Sequence, residues 1–126
     1  MATMRIFLSH SHEDDAFCRA IVTALRTADV DVWYDEHNLG SGQLLEVIQR
    51  ELKTRPVFLV ILSPAAFRST WVKDECRWAY NLFKRDATRI MLPITASAFE
   101  ASEFDDWLFL EAVSYTHLTL PTNREV

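Results

Sequence analysis

Where the pattern of this chain asks for carbon, it carries a carboxylate. Trp71, Glu75, Trp78, Ala79 and Leu82 recur at spacings of three and four, which puts them on one face of a helix. Four of these five are apolar, so Glu75 lies on a core-facing stripe. Desolvation at such a position raises a carboxyl's pKa and makes Glu75 a candidate for chemistry. The plainer alternative keeps Glu75 at the stripe's edge, paired with a neighbouring Arg or Lys. His10 and His12 flank a single residue and have the chemistry of metal ligands. No third ligand lies near them at a recognised spacing, so they read as solvated loop histidines and no metal is expected. Cys18 and Cys76 both fall in predicted helices, away from any cationic pocket, and read as small core residues.

The elements that must position these residues alternate along the chain. Met4–Leu8 is a short apolar strand, and Ser9-His10-Ser11-His12 leaves its carboxyl end. Ser11 and Asp14 have the capping-box spacing, and Glu13-Asp14-Asp15 load the first helical turn with negative charge. Phe17, Ile21, Leu25 and Ala28 form that helix's apolar stripe. Val30–Tyr34 is a second strand closed by Asp35. The loop Glu36–Gly42 holds both glycines of the protein, which points to unusual backbone angles or a close approach there. A tight turn with Ser41 capping the next helix accounts for much of it. It is no phosphate loop, because no Gly-Lys-Ser/Thr follows. Leu44, Leu45, Ile48 and Leu52 mark the buried side of the helix beyond it.

Val57-Phe58-Leu59-Val60-Ile61-Leu62 reads as a strand buried on both faces. Pro64 suits a helix start, where a missing N–H costs nothing. Arg89–Ile94 is a fourth strand, with Pro93 placing it toward an edge or making its end irregular. Residues 107–110 form a short candidate fifth strand. This alternation indicates an α/β domain around a mostly parallel sheet. Ligands of such sheets collect beyond the carboxyl ends of the strands, here the polar rim Ser9-His10, Asp35, Ser63 and Thr95.

With 126 residues, 49% hydrophobic and 25% charged, the chain has the make-up of one soluble domain with a real core. Its net charge of −5 argues against nucleic acid or an anionic membrane as partner. No apolar run has the length of a membrane span, and no signal-peptide core is present. Two cysteines make no disulfide framework, so a reducing, cytoplasmic setting is expected.

Four stretches together resemble the Toll/interleukin-1 receptor (TIR) domain family across residues 4–112. They are Phe7-Leu8-Ser9-His10-Ser11; Val32-Trp33-Tyr34-Asp35 leading into Leu39-Gly40-Ser41-Gly42; Leu62-Ser63-Pro64 followed by Trp71-Val72-Lys73-Asp74-Glu75; and Ile90-Met91-Leu92-Pro93-Ile94. The resemblance implies a flavodoxin-like five-stranded sheet of order 2-1-3-4-5. It also implies a role in signal transduction or immune defence, including defence against phage. In enzymatic members NAD is the substrate and the glutamate matching Glu75 is catalytic, with Trp71 as its aromatic neighbour. His10, Ser11, Asp35, Leu39 and Leu44 would then line the NAD pocket. Asn38, Leu39, Gly40, Ser41 and Gly42 would form a loop that assembles one TIR domain with another. The chain departs from some members in carrying His10 where an aromatic residue is common, with no arginine after it.

One acid is enough for that reaction. Cleaving the nicotinamide–ribose bond releases a neutral pyridine from a pyridinium, so the leaving group needs no proton. Ordinary glycosidases use two carboxylates because their leaving oxygen does. The resemblance thus implies NAD as substrate with no cofactor, and ADP-ribose or a cyclic ADP-ribose as product. The alternative function is a non-enzymatic adaptor acting through TIR–TIR contacts. A phospho-receiver domain is argued against by Ser63, where an aspartate should end the central strand. Residues 113–126 fit nothing before them and resemble translated sequencing-adapter sequence, the alternative being a natural disordered tail. The helix that would follow a fifth strand is thus expected to be missing.

Overall fold

The computed structural model describes residues 4–34, 42–97 and 118–119 of the 126-residue chain. Five parallel strands, β1 (Arg5–Ser9), β2 (Asp31–Tyr34), β3 (Val57–Leu62), β4 (Ile90–Thr95) and β5 (Leu118–Thr119), lie in the order β2-β1-β3-β4-β5. Between them run α1 (Asp15–Thr27), α2 (Gly42–Thr54), α3 (Pro64–Arg68) and α4 (Thr70–Phe83), with a single 3-10 turn at His12–Asp14 before α1. This is the expected α/β architecture and strand order. β3 takes the centre, paired with β1 and β4, and all six of its residues are buried. A run of consecutive apolar side chains is what a strand covered on both faces requires.

Pleating divides the core in two. Phe7, Phe58, Val60, Leu62 and Met91 meet Ile48 and Leu52 of α2 and Val72, Cys76, Ala79 and Phe83 of α4. Ile6, Leu8, Leu59, Ile61 and Ile94 face the other way, against Cys18 and Val22 of α1. The buried stripes are thus rotated from those expected. In α1 the centre is Cys18 and Val22, with Phe17, Ile21 and Leu25 on its flanks. In α2, Leu45 is 37% exposed while Ile48 and Leu52 are buried.

Below the sheet, Arg55 is buried and donates to Glu51 at 2.9 Å and to the Asp31 carbonyl at 3.0 Å. Arg89 reaches the Lys53 carbonyl at 2.7 Å, at the end of α2, where the helix dipole favours a cation. These arginines fasten the amino ends of the strands.

The described fifth strand, Leu118–Thr119, lies inside the stretch set apart as a tail, whereas the candidate at 107–110 falls outside the described residues. Its pairing with β4 covers Ile94 and Thr95 only. Pro93 is opposite Val60 of β3 and precedes the first β4–β5 pair, so its missing N–H costs no described β4–β5 bond.

Candidate functional site

The alternation that splits the core also aims the last residues of β1. Ser9 shares the pleat face of Phe7, which packs toward α4. From there its Oγ donates to Glu75 Oε1 at 2.6 Å in a buried hydrogen bond. Glu75 is 2% exposed and stands on the buried face of α4 with Val72, Cys76, Ala79 and Phe83. Trp71, Trp78 and Leu82 lie on the flank of that face, packed against the core. Glu75 is therefore a carboxylate inside the stripe and not at its edge. Burial pushes the neighbouring Cys76 thiol well above its ordinary pKa, and the Glu75 charge adds to the effect. That thiol is an inert core group.

A cleft of about 230 Å³ opens above this point. One wall is His10, Ser11, His12 and Glu13 from the β1–α1 connection; the other is Ala65, Arg68, Ser69 and Trp71 from α3 and the start of α4. Glu75 does not line the cleft. Its contacts do lead there, because Trp71 sits one helical turn before it and His10 directly follows its partner Ser9. The Trp71 ring meets Trp78 edge-on, with centroids 6.0 Å apart. Its indole N–H is buried with no hydrogen-bond partner among the described residues.

The two walls are tied together. Ser63 directly follows β3, caps α3 by accepting from the Ala66 N–H at 3.0 Å, and donates to Asp14 Oδ2 at 2.5 Å. The expected capping box is accordingly modified. Ser11 caps the 3-10 turn by accepting from the Glu13 N–H at 3.2 Å. Asp14 makes no cap bond to α1, because its carboxylate is engaged by Ser63.

His10 corrects the expectation of a solvated loop histidine. It is 8% exposed, with Nε2 2.7 Å from Asp15 Oδ1 and its ring edge-on to Tyr34 at 5.8 Å. The step of one residue from Ser9 turns it to the α1 side of the sheet, where Asp15 opens the helix. Burial by itself raises the Asp15 carboxyl. The hydrogen bond to His10 and the charges of His10, His12 and Arg19 outweigh that, and hold it below the ordinary carboxylate value.

Of the residues singled out in the sequence, the fold brings His10, Ser11 and Trp71 to the cleft and Glu75 beside it. Asp35, Asn38, Leu39, Gly40 and Ser41 lie outside the described residues. Gly42 opens α2, and Leu44 lies in its first turn. Among the described residues no group of His, Cys, Asp and Glu could hold a metal ion, and no helix is long and apolar enough to cross a membrane. Sequence reasoning missed Ser9 as the partner of Glu75. The signal was available in pleat parity, since Ser9 is two residues from the core-facing Phe7. The contributions of Arg68 and Ser69 depend on where α3 ends and carry no comparable signal.

Comparison with known proteins agrees with the fold. Residues 6–124 match the family model described as TIR domain. The chain is 36% identical over 91 residues to the NAD(+) hydrolase PdTIR of Paracoccus denitrificans, covering 71% of this chain and 30% of that protein. It is 34% identical over 106 residues to the NAD(+) hydrolase TcpC of Escherichia coli, covering 81% and 34%. The chain therefore spans about a third of the length of these relatives. Among solved structures, the TIR domains of the Roq1 resistosome superpose with a TM-score of 0.67 at 19% identity, over 87% of this chain and 72% of that one. The TIR domain of the Hydra magnipapillata Toll-related receptor TRR-2 gives 0.64 at 15% identity, over 90% and 82%. By its family match, its sheet order and these neighbours, the chain belongs to the TIR domain family.

Proposed function

We propose that this domain cleaves the nicotinamide–ribose bond of NAD, with Glu75 as the catalytic carboxylate. The observation that carries the proposal is the setting of Glu75, a carboxylate 2% exposed at the carboxyl end of a parallel sheet, held by Ser9. It stands one helical turn from a tryptophan that lines the cleft. The names of relatives support it: two are NAD(+) hydrolases and a third, 37% identical over 71 residues, is the 2' cyclic ADP-D-ribose synthase BtTIR of Bacteroides thetaiotaomicron.

In this mechanism the pyridinium departs as neutral nicotinamide, and positive charge develops on the ribose. Glu75 stabilises that oxocarbenium-like charge and hydrogen-bonds ribose hydroxyls. Its surroundings, Trp71 among them, lower the local dielectric and strengthen the interaction. Trp71 offers NAD its ring, while His10 and Ser11 form the facing wall. Because Glu75 is covered, NAD reaches it only when the groups around the cleft part. No protein-bound cofactor takes part. Water capturing the sugar gives ADP-ribose; capture within the same molecule gives a cyclic product. On this reading Asp35, Leu39 and Leu44 take NAD-binding roles as well, and the segment Asn38–Gly42 takes the role of self-association with other TIR domains, in signalling or immune defence.

The test is nicotinamide release from NAD by the wild type and by Glu75→Gln, each free and clustered on a scaffold. The wild type should turn over, and the amide should lose about 100-fold or more in kcat, as when an electrostatic stabiliser is removed. Equal rates would remove Glu75 from the mechanism. If neither protein consumes NAD even when clustered, the domain is a docking module.

A further inference from the structure

Glu75 needs more than burial to act on a ribose: its carboxylate plane must be fixed before substrate arrives. A glutamate side chain has three rotatable bonds, and its terminal torsion is broad. Left to itself, such a carboxylate samples many orientations and loses rate each time it is out of line. The fold supplies a constraint from a different element. Ser9 is 1% exposed, lies on a strand fastened on both sides by β2 and β3, and carries a short side chain with a single χ angle. Its hydroxyl meets Oε1 at 2.6 Å, the length of a strong hydrogen bond to a charged oxygen. The two residues are 66 positions apart, so the bond joins the central sheet to the middle of α4.

We infer that Ser9 is a positioning residue for Glu75, locking one carboxylate oxygen so that the group presents a fixed orientation to the ribose. This rests on the NAD-cleaving function proposed above. Ser9 touches no substrate: it is buried below the cleft, and its neighbours His10 and Ser11 form the lining. Its contribution therefore belongs in kcat and not in NAD binding.

The experiment compares Ser9→Ala, Ser9→Cys and Ser9→Thr with the wild type in steady-state NAD cleavage, with a thermal melt of each protein. Ser9→Ala removes the donor and should lower kcat about 10- to 100-fold, with KM within about twofold of wild type. Ser9→Thr keeps the hydroxyl and should recover most of the rate. Ser9→Cys, a weaker donor, should fall between. This order should hold whatever the order of the melting temperatures. The inference is overturned if Ser9→Ala cleaves NAD at the wild-type kcat. It is equally overturned if kcat across the variants follows melting temperature in place of donor strength, or if the loss appears in KM alone. A wild type that leaves NAD intact when clustered overturns the parent function and this inference together; a wild type that cleaves, beside a Ser9→Ala that cleaves equally, overturns this inference alone.

Discussion

Removing the Ser63 hydroxyl strikes two bonds at once, and their sum can be worked out. As the cap of α3 it accepts from the Ala66 N–H at 3.0 Å, and losing such a cap costs about 1 kcal/mol. The helix it caps is only five residues long, so it has little else to offset its nucleation cost. As a donor it meets Asp14 Oδ2 at 2.5 Å; bonds to charged groups contribute about 1.5–3 kcal/mol. Asp14 is half-buried and regains water when released, which argues for the lower end. Ser63→Ala should therefore cost about 2–3 kcal/mol. At this chain length each kcal/mol is roughly 3–5 °C, so Tm should fall by roughly 6–15 °C. Urea unfolding followed by circular dichroism measures the loss directly. A cycle with Asp14→Ala isolates the tie between the two walls of the cleft, and the second substitution should cost about 1–2 kcal/mol less in the background of the first. A loss within about 0.5 kcal/mol, or strict additivity of the pair, would show that the tie contributes nothing to the folded state.

Two further expectations concern the scaffold. Asp29, after α1, has φ 68°, a region that costs an L-residue about 1–2 kcal/mol and a glycine almost nothing; Asp29→Gly should stabilise the fold by about 0.5–1 kcal/mol, and Asp29→Val should lower the urea midpoint. In acid, three aspartates set the sign. Asp31 is raised by burial but more strongly lowered by its bonds and charge pairing with Arg55 and Arg5. Asp15 is held down chiefly by His10 against its own burial, and Asp86 by its hydrogen bonds from Thr88 and Arg89. Each folded pKa lies below the ordinary 3.8, so the stability they confer is present above that value and is lost as pH falls through the folded values. The urea midpoint should hold steady above about pH 5 and drop below about pH 4; a midpoint that rises on acidification to pH 3 contradicts these pairings.

The sheet was legible because β3 is apolar at every position and Pro64 punctuates its end. Strand order came from resemblance, since alternation alone indicates a parallel sheet without ordering it. Glu75 stood out because it interrupts an apolar helical face, yet periodicity put Trp71 and Trp78 at the centre of that face. The structure gives the centre to the smaller Val72, Cys76 and Ala79, which allow α4 to approach the sheet closely. The burial of His10 has no local signal, because a loop histidine after a strand is ordinarily wet. Its burial depends on Asp15 and Tyr34, which lie in two other elements. The spacing of Asp14 suggests a cap; its true partner, Ser63, is 49 residues away and beyond any local rule.

The peptide bond between Ser9 and His10 marks a fork in the molecule. On one side of it a hydroxyl is handed to the layer of α4; on the other an imidazole is handed to the layer of α1. Adding or deleting one residue within β1 would send each group to the wrong layer, because side-chain direction along a strand reverses at every step. Substitutions can adjust the two groups separately. The spacing from Phe7 to Ser9 and His10 cannot change by one residue without exchanging their destinations.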